Sequence, residues 1–355
     1  YATTREEPER WLTSKLFKIN SEWVTDKDGH QRQRRDDEEA LVPFLPTKDQ
    51  VLLMQTINRN RKIIIVKDRR RKVTSAFMMY FLAHLLSKSG DIMVFLAHKE
   101  ETQREIFDQM VLTAYNKLVP FRSLIPPTTD RLHELEIEGK IPGFEKGRSK
   151  MLCFLATLAS AKQLRGLAST KVLATEVPYY ENMKELVKAA SAAIHRNAIY
   201  VEEGTANGYD EYFAPKFMEN YRRQGGKNWW LPGYNTRANN YAEAIFFPWI
   251  TNDVNRLAMH PEASAEMLLE DLDDEEKDIW ENYLLPTHRA ELAMTDEGKR
   301  IKRNEFELEV RRLCLEYLCF RRSKLAKYYP KVPLHFLPAP FENKDDFDSE
   351  YPLTP

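Results

Sequence analysis

The chain has 355 residues, 30% charged and 43% hydrophobic, and its 53 Lys and Arg against 54 Asp and Glu give a net charge of −1. This balance argues against a uniformly basic nucleic-acid binder, so contact with a polyanion must involve a local patch. Its three cysteines lack metal-ligand or disulfide spacing, no apolar run reaches about 18 residues, and the amino end has no signal-peptide pattern. We therefore expect a globular protein of a reducing cytoplasm.

The first 40 residues are polar and charged, and the run 25–39 has neither a helical nor a strand period, which predicts an exposed arm or hairpin. An amphipathic helix is then predicted to begin near Pro46 and Thr47. Gln50 lies in its first turn, where the ordinary role is that of a solvent-exposed helix residue.

The stretch 63–75, IIIVKDRRRKVTS, passes from a buried apolar strand into a basic turn and then into a helix. In α/β proteins this junction lies at the carboxyl edge of a parallel sheet, where loop amides and a helix N-terminus bind phosphate. The Gly-x-x-x-x-Gly-Lys-Ser/Thr pattern of a specific phosphate loop is absent, and a basic loop here is more often only a solvated surface. A nucleotide site at 67–75 therefore needs support from the rest of the chain.

Further elements follow from hydrophobic periodicity. Strands are predicted at 91–98, 149–157, 171–177 and from 197, helices at 99–118 and 183–196, a loop with an edge strand at 120–147, and two aromatic strands at 227–234 and 243–250. Three strands then end in polar loops, at 67–75, at Thr175–Glu176 and at 202–208. In a parallel sheet these loops gather on one edge, where one ligand can touch all three. Taken alone, Glu176 would be an ordinary strand-end surface residue.

The character of the sequence changes after about residue 264, where two highly charged helical stretches are separated by a turn at 295–298. Several prolines then break any helix and predict a linker. The domains predicted are a polar arm, an α/β core, a small helical subdomain and a Pro-rich linker, at 1–40, 41–260, 261–330 and 331–355.

Six motifs, taken in order, resemble the ATPase part of the large terminase subunit, the DNA-packaging motor of tailed bacteriophages. They are VPFLPTKDQVLLMQ, IIIVKDRRRKVTS, LRGLASTKVLATEV, YVEEGTANGYDEYF, FFPWI and DSEYPLTP. Each is weak alone, but their order and spacing are specific, and the resemblance runs from about Val42 to the end. It implies an α/β fold of P-loop NTPase type (the ASCE class), with a mainly parallel sheet flanked by helices and a small helical lid subdomain.

The resemblance also implies roles for particular residues. Gln50 would match the glutamine that reads adenine, and the loop after the first strand would match a deviant Walker A motif. Within it Lys67 and Arg69 would serve the phosphates, with Arg69 at the position proposed for an arginine finger in some members, and Thr74 would provide the hydroxyl that binds Mg²⁺. The implied nucleotide-binding set is Gln50, Lys67, Asp68, Arg69, Arg70, Arg71, Lys72, Val73, Thr74 and Ser75.

Downstream, Glu176 would match the catalytic carboxylate that orients the attacking water. Arg165-Gly166 matches a pair that precedes the Walker B strand. The coupling motif, which reports hydrolysis to the moving subdomain, would be Thr205, Ala206, Asn207 and Gly208.

Two residues depart from the family pattern. Lys72 stands where a Gly usually lets the backbone wrap around phosphate, and Thr175 replaces the Walker B aspartate, which leaves Thr74 and Thr175 as the metal-site residues. Because phosphoryl transfer depends on electrostatic positioning, both changes should weaken nucleotide binding and hydrolysis. The cluster Arg69–Lys72 could compensate in part by supplying charge, whereas Asp68 could repel the phosphates.

The first reading is a working packaging motor that binds ATP and Mg²⁺ and drives double-stranded DNA into a procapsid. Its partners would be the portal protein and the small terminase subunit, and it would assemble as a ring. It would lie in the cytoplasm of the infected host cell and, transiently, on the procapsid. Its contact with DNA would be salt-sensitive and indifferent to sequence. The alternative is a degenerate, non-hydrolysing terminase-like module that binds DNA or an assembly partner. A helicase-like translocase is a third option, disfavoured by the absence of helicase motifs downstream. The ending EYPLTP resembles a hinge into a nuclease domain that this sequence does not include.

Overall fold

A computed structural model describes residues 12, 17–20, 23–25, 31–33, 41–69, 71–87, 90–118, 126–131, 133–138, 148–164, 166–205, 211–231, 233–235, 241–252, 255–256, 269–270 and 272–324. Its main feature is an eight-stranded, mostly parallel sheet with helices packed on both faces. The predicted α/β class with a mainly parallel sheet is therefore confirmed.

The strands define three sheets. They are β1 (Lys18–Asn20), β2 (Trp23–Thr25), β3 (Gln31–Gln33), β4 (Leu41–Pro43), β5 (Lys62–Lys67), β6 (Ile92–Ala97), β7 (Pro127–Arg131), β8 (Glu134–Glu138), β9 (Arg148–Leu155), β10 (Ser169–Thr175), β11 (Ile194–Gly204) and β12 (Glu243–Phe247). The large sheet has the order β12-β5-β11-β10-β6-β9-β8-β7, parallel from β12 to β9 and antiparallel from β9 to β7. Two small antiparallel pairs, β1–β4 and β2–β3, precede it, and the second is a hairpin of the kind expected for the amino-terminal arm.

The helices lie between the strands and after them. They are α1 (Lys48–Arg59), α2 (Val73–Ser87), α3 (Glu100–Gln103, continuing as a π-helix over Arg104–Leu112 and as an α-helix over Thr113–Asn116), α4 (Leu158–Leu164), α5 (Met183–Ala193), α6 (Phe213–Arg223), α7 (Asp274–Asp278, a π-helix over Ile279–Leu284, then Leu285–Met294), α8 (Asp296–Arg300) and α9 (Arg303–Lys324). Among the described residues, no helix is long and apolar enough to cross a membrane.

The apolar run of β5 explains the layering of the core. Ile63 and Ile65 belong to a hydrophobic cluster with α1, α2 and α3, whereas Ile64 and Val66 belong to a second cluster with α5 and α6. Successive side chains of a strand point to opposite faces, so a strand with helices on both sides needs apolar residues at every position. The continuous Ile-Ile-Ile-Val run therefore lets β5 be covered on both faces, and its basic end lies at the carboxyl edge of the sheet.

The aromatic stretch 227–234 was predicted to be a strand, and this prediction was wrong. Among the described residues of 227–250, only β12 forms a strand, and side chains of preceding residues bond the edge of β12 that faces away from β5. The Gln224 amide exchanges two hydrogen bonds with the backbone of Ala244, at 2.8 and 2.6 Å, and the Asn228 amide does the same with Phe246, at 2.8 and 2.9 Å. These amides take the place that a neighbouring strand would occupy.

Two smaller predictions are also corrected. The region expected to hold one edge strand contains a pair, β7 and β8, that extends the sheet in antiparallel fashion. The helix predicted over 183–196 ends at Ala193, and β11 begins immediately, with Ile194 in register with Ser169 of β10.

The chain divides into two compact units, residues 1–247 and residues 248–354. The first contains the sheet and its two flanking clusters. The second contains α7, α8 and α9, and it has a hydrophobic core of its own that includes Trp249, Leu284, Val310 and Leu315.

Candidate nucleotide-binding site

The carboxyl ends of β5, β11 and β10 lie side by side at one edge of the sheet. The three strands are parallel, β11 lies between the other two, and the register pairs Gly204 with Val66 of β5 and Glu203 with Thr175 of β10. This is the convergence that the sequence predicted. Ligand sites of open α/β sheets lie at this edge, so these strand ends mark the candidate site.

Lys67, the last residue of β5, lies between two carboxylates. Its Nζ is 3.2 Å from Oε1 of Glu176 and 3.3 Å from Oε2 of Glu203. Burial alone would lower the pKa of Lys67, but the charges and hydrogen bonds of Glu203 and Glu176 outweigh burial, and the net pKa is raised. The Lys67 ammonium is therefore charged and already paired.

Glu176 follows β10 in a left-handed backbone conformation, with φ 53° and ψ 43°. Its Oε2 accepts hydrogen bonds from the backbone N–H and the hydroxyl of Thr205, at 3.4 and 3.3 Å. Burial raises the pKa of Glu176, but the charge and hydrogen bond of Lys67 and the Thr205 N–H lower it below the ordinary value. Glu176 is thus an ionised carboxylate held at both oxygens, with 23% of its side chain exposed.

The turn that carries Glu176 depends on a glycine in the neighbouring strand. A Cβ on Gly204 would lie 2.4 Å from Cδ of Pro178, which is closer than side-chain carbons approach one another. Because Gly204 has no side chain, the turn after β10 packs directly over the end of β11. This close approach brings the Glu176 carboxylate to Thr205.

Three side chains from three elements meet beneath Lys67. Thr74, in the first turn of α2, has its Oγ1 2.5 Å from Oε1 of Glu203 and 3.3 Å from Oγ1 of Thr175. The Thr175 hydroxyl also donates to the same Glu203 oxygen. Burial and the charge of Glu176 raise the pKa of Glu203, against the effect of Lys67 and the two hydroxyls. Thr74 and Thr175, both predicted metal-site residues, therefore lie together.

Arg71 points into the fold and pairs with two acidic residues. Its Nε is 2.8 Å from Oδ1 of Asp68, its Nη1 contacts Asp49, and its guanidinium carbon lies 5.1 Å from the ring centroid of Phe247. The carboxylates raise its pKa although burial opposes this. Asp68 is itself fully buried in this cluster, so the charges of Asp68 and Arg71 pair with each other inside the protein.

Lys72 occupies the left-handed region, with φ 55°, at the position where the resemblance implied a glycine. Its carbonyl oxygen accepts a hydrogen bond of 2.9 Å from Nε2 of Gln50. The Oε1 of Gln50 accepts from the backbone N–H of Thr47, and the Thr47 hydroxyl accepts in return from the Gln50 N–H. Gln50 is 1% exposed, so its description as a solvent-exposed helix residue was wrong. Because this capping box fixes the start of α1, Gln50 connects that helix to the loop.

The remaining predicted site residues differ in their exposure, and several lie outside the described residues. Arg69 is exposed at the turn, Val73 is buried at the start of α2, and Ser75 is half-buried in the same first turn. Arg70, Arg165, Ala206, Asn207 and Gly208 lie outside the described residues.

Sequence reasoning missed two residues of this edge, Glu203 and His98. Glu203 was predicted within the polar loop 202–208 and was not selected as a site residue, whereas the structure places it in β11. Two adjacent acidic residues that are buried at the end of an apolar strand, Glu202 and Glu203, are an unusual signal. His98 follows β6, and its ring centroid lies 5.9 Å from that of Tyr179. Burial and Lys99 lower the pKa of His98, although the charge of Glu176 opposes them.

A metal ion at this edge would need ligands beyond the protein. Among the described residues, no group of three or more His, Cys, Asp and Glu side chains is placed to hold a metal. Mg²⁺ in nucleotide sites is held by one or two carboxylates together with phosphate oxygens and water. Thr74 with Glu203 fits that pattern, because Oε2 of Glu203 is buried and, among the described residues, has Nζ of Lys67 at 3.3 Å as its polar contact.

Comparisons with known proteins gave structural likenesses only. No family model matches the sequence, and a search of curated proteins found no match. The large terminase ATPase domain of Thermus phage P74-26 aligns with TM-score 0.44 and 14% identity over 75% of this chain and 92% of that one. The HK97 bacteriophage large terminase gives 0.42 and 14% over 87% and 55%, and the ADP complex of the bacteriophage D6E large terminase gives 0.38 and 12% over 71% and 51%. Likenesses this distant carry no argument about function.

Proposed function

We propose that this chain is a Mg²⁺-dependent ATPase and that it is the ATPase part of a viral DNA-packaging motor. The observation that carries the ATPase proposal is the contact of Lys67 with Glu176 and Glu203 at the shared edge of β5, β10 and β11. The motor assignment, with double-stranded DNA, a portal protein and a small terminase subunit as partners, rests on the order of the sequence motifs.

The geometry suits hydrolysis of a phosphoanhydride. Lys67 supplies a positive charge for phosphate oxygens, and Thr74 supplies a hydroxyl at the start of α2. Glu176 is ionised, partly exposed and oriented by Thr205, so it can orient a water molecule and accept its proton. When bound, Mg²⁺ would neutralise phosphate charge and polarise the terminal phosphate.

The nucleotide would enter in place of an existing ion pair. Lys67 is held by two carboxylates, so the phosphates would have to draw its ammonium away from at least one of them. A cation that arrives with the nucleotide would compensate the carboxylate left behind. ATP binding should therefore depend strongly on Mg²⁺.

The first prediction is that Glu176→Gln abolishes turnover and preserves binding. The amide keeps the shape and the contact with Thr205 but cannot accept a proton, so we expect kcat to fall by roughly 10²–10⁴-fold. ATPase assays would include double-stranded DNA, and calorimetry with ATP and Mg²⁺ would measure affinity.

Glu181→Gln is the matched control, because Glu181 is an exposed glutamate five residues further along the chain. It should leave both quantities unchanged. If the wild-type chain shows no turnover with DNA and its assembly partners present, the active-motor proposal fails. ATP bound without turnover would instead identify a binding module, the degenerate alternative.

A further inference from the structure

Position 175 ends the strand that should supply a metal-holding carboxylate, yet it is a threonine. The same edge contains a carboxylate one strand away, because the register pairs Thr175 with Glu203 on β11. Resting on the proposed function, we propose that Glu203 holds the hydrated Mg²⁺ of the bound nucleotide and thereby takes over the role that Thr175 cannot perform.

The contacts of Glu203 place its carboxylate where such a group is needed. Its Oε1 is bonded by the hydroxyls of both Thr74 and Thr175, and these two hydroxyls are 3.3 Å apart. A carboxylate at position 175 would occupy the space of the Thr175 hydroxyl, so Glu203 reaches the same neighbourhood from the side. Its other oxygen, Oε2, lies 3.3 Å from Nζ of Lys67 and is otherwise unbonded.

Two carboxylates contact the same ammonium at this edge. Glu203 is completely buried, and it shares the single ammonium of Lys67 with Glu176. Burying an ionised carboxylate is costly unless its charge is well compensated, and a neutral residue would avoid that cost. A divalent cation entering with the nucleotide would supply the missing compensation.

Glu202 provides an internal contrast on the same strand. It is equally buried, but it points to the opposite face and pairs with Lys216 at 2.8 and 2.9 Å and with the Tyr212 hydroxyl at 3.1 Å. Lys216 pairs with Glu202, whereas Glu203 and Glu176 share Lys67. Glu202 is therefore a structural buried carboxylate, and Glu203 differs from it by sharing a cation at the site.

The experiment measures metal binding directly, with Mn²⁺ as a paramagnetic substitute for Mg²⁺ and a non-hydrolysable ATP analogue at saturation. Electron paramagnetic resonance of free Mn²⁺ gives the metal Kd for the full chain. We expect Glu203→Gln to raise this Kd roughly 10–100-fold, as the loss of a metal-orienting group does elsewhere. Adding Thr175→Asp to Glu203→Gln should restore most of the affinity, because it returns the charge from β10.

Glu202→Gln is the matched control and should leave the Mn²⁺ Kd unchanged. A Glu203→Gln variant that binds Mn²⁺ as tightly as wild type, or a Glu202→Gln variant that loses as much affinity, would overturn the inference. If Glu203→Gln does not fold, Glu203→Asp decides, because it keeps the charge but retracts it by one methylene. Weaker Mn²⁺ binding by that variant supports the role, and unchanged binding refutes it.

Failure of this inference can be told apart from failure of the proposed function. A wild-type chain that binds no Mn²⁺–nucleotide complex contradicts the ATPase proposal itself. A wild-type chain that binds it normally, with Glu203→Gln unaffected, contradicts only the role of Glu203.

Discussion

Lys67 and Arg71 show how far the positive charge of a basic loop can be reduced by its surroundings. Each is buried, and each pairs with two carboxylates: Lys67 with Glu176 and Glu203, Arg71 with Asp49 and Asp68. The run of basic residues suggests a strongly positive loop, but Asp68 inside the loop and three carboxylates outside it cancel much of that charge. The count of basic residues in 67–72 therefore overstates the field that a phosphate would meet.

A prediction at this scale concerns the strained backbone of Lys72. A residue with a Cβ in the left-handed region costs about 1–2 kcal/mol, whereas glycine adds up to about 1 kcal/mol of unfolded-state entropy. We therefore expect Lys72→Gly to be more stable than Lys72→Ala by up to about 1 kcal/mol, as measured by urea unfolding. Both variants remove the charge, so the comparison isolates the Cβ. Equal or lower stability of the glycine variant would show that the loop relaxes around residue 72.

Single residues could be predicted from the sequence where the chemistry was local. Glu176 and Thr205 were selected through the family resemblance, and the polar strand ends predicted only that their loops share one edge of the sheet. The structure brings the two residues together. The buried role of Gln50 depends on a bond to Lys72, 22 positions away, and could not be derived from its helical neighbours. The position of Glu203 beside Thr175 depends on the register of β10 and β11, which could not be predicted from the sequence.

At the scale of elements, β12 illustrates how the edge of a sheet can be closed without another strand. An exposed edge offers unpaired N–H and C=O groups that promote pairing with other chains. Here the side-chain amides of Gln224 and Asn228 bond the backbones of Ala244 and Phe246, alternate residues on the same side of the strand. The segment 227–234 carries strand-like aromatic residues, so hydrophobic pattern alone could not distinguish it from a true strand.

We predict that Asn228→Leu destabilises the protein by roughly 1–3 kcal/mol, because it leaves buried backbone groups of Phe246 without partners. Chemical denaturation measures the loss, and hydrogen exchange at the Phe246 amide should accelerate. Asn235→Leu is the control, since Asn235 is exposed and its side-chain amide donates to the carbonyl of Arg223, outside β12. A similar loss in both variants would mean that the amide does not protect the edge.

At the scale of the whole molecule, the division into residues 1–247 and 248–354 means that two hydrophobic cores stabilise the chain. Sequence character had placed a helical subdomain from about residue 261. That boundary stays a prediction, because residues 257–268 lie outside the described residues. The second compact unit begins at Pro248, and Trp249 and Ile250 belong to its core. The boundary residues are apolar and resemble a strand end, which hides the transition.

The corresponding prediction is that a core substitution affects mainly its own unit. Leu284→Ala removes a completely buried side chain and should cost about 2–5 kcal/mol. Hydrogen exchange followed by mass spectrometry should then accelerate in peptides of α7 and α9 but not in those of β5 and β10. Leu308→Ala, at a side chain that is 65% exposed in the same unit, should change little. Equal acceleration in both units would show a single cooperative structure.

The pairing of Lys67 with Glu176 and Glu203 also affects which anions can bind at this edge. A bare oxyanion such as sulfate or inorganic phosphate would approach an ammonium flanked by two carboxylates, and it would be repelled as much as attracted. An anion with a bound divalent cation offers a negative charge to Lys67 and a positive charge to the two carboxylates. Under the proposed function, such a site would therefore bind small free anions weakly and would favour polyphosphates that carry a bound divalent cation.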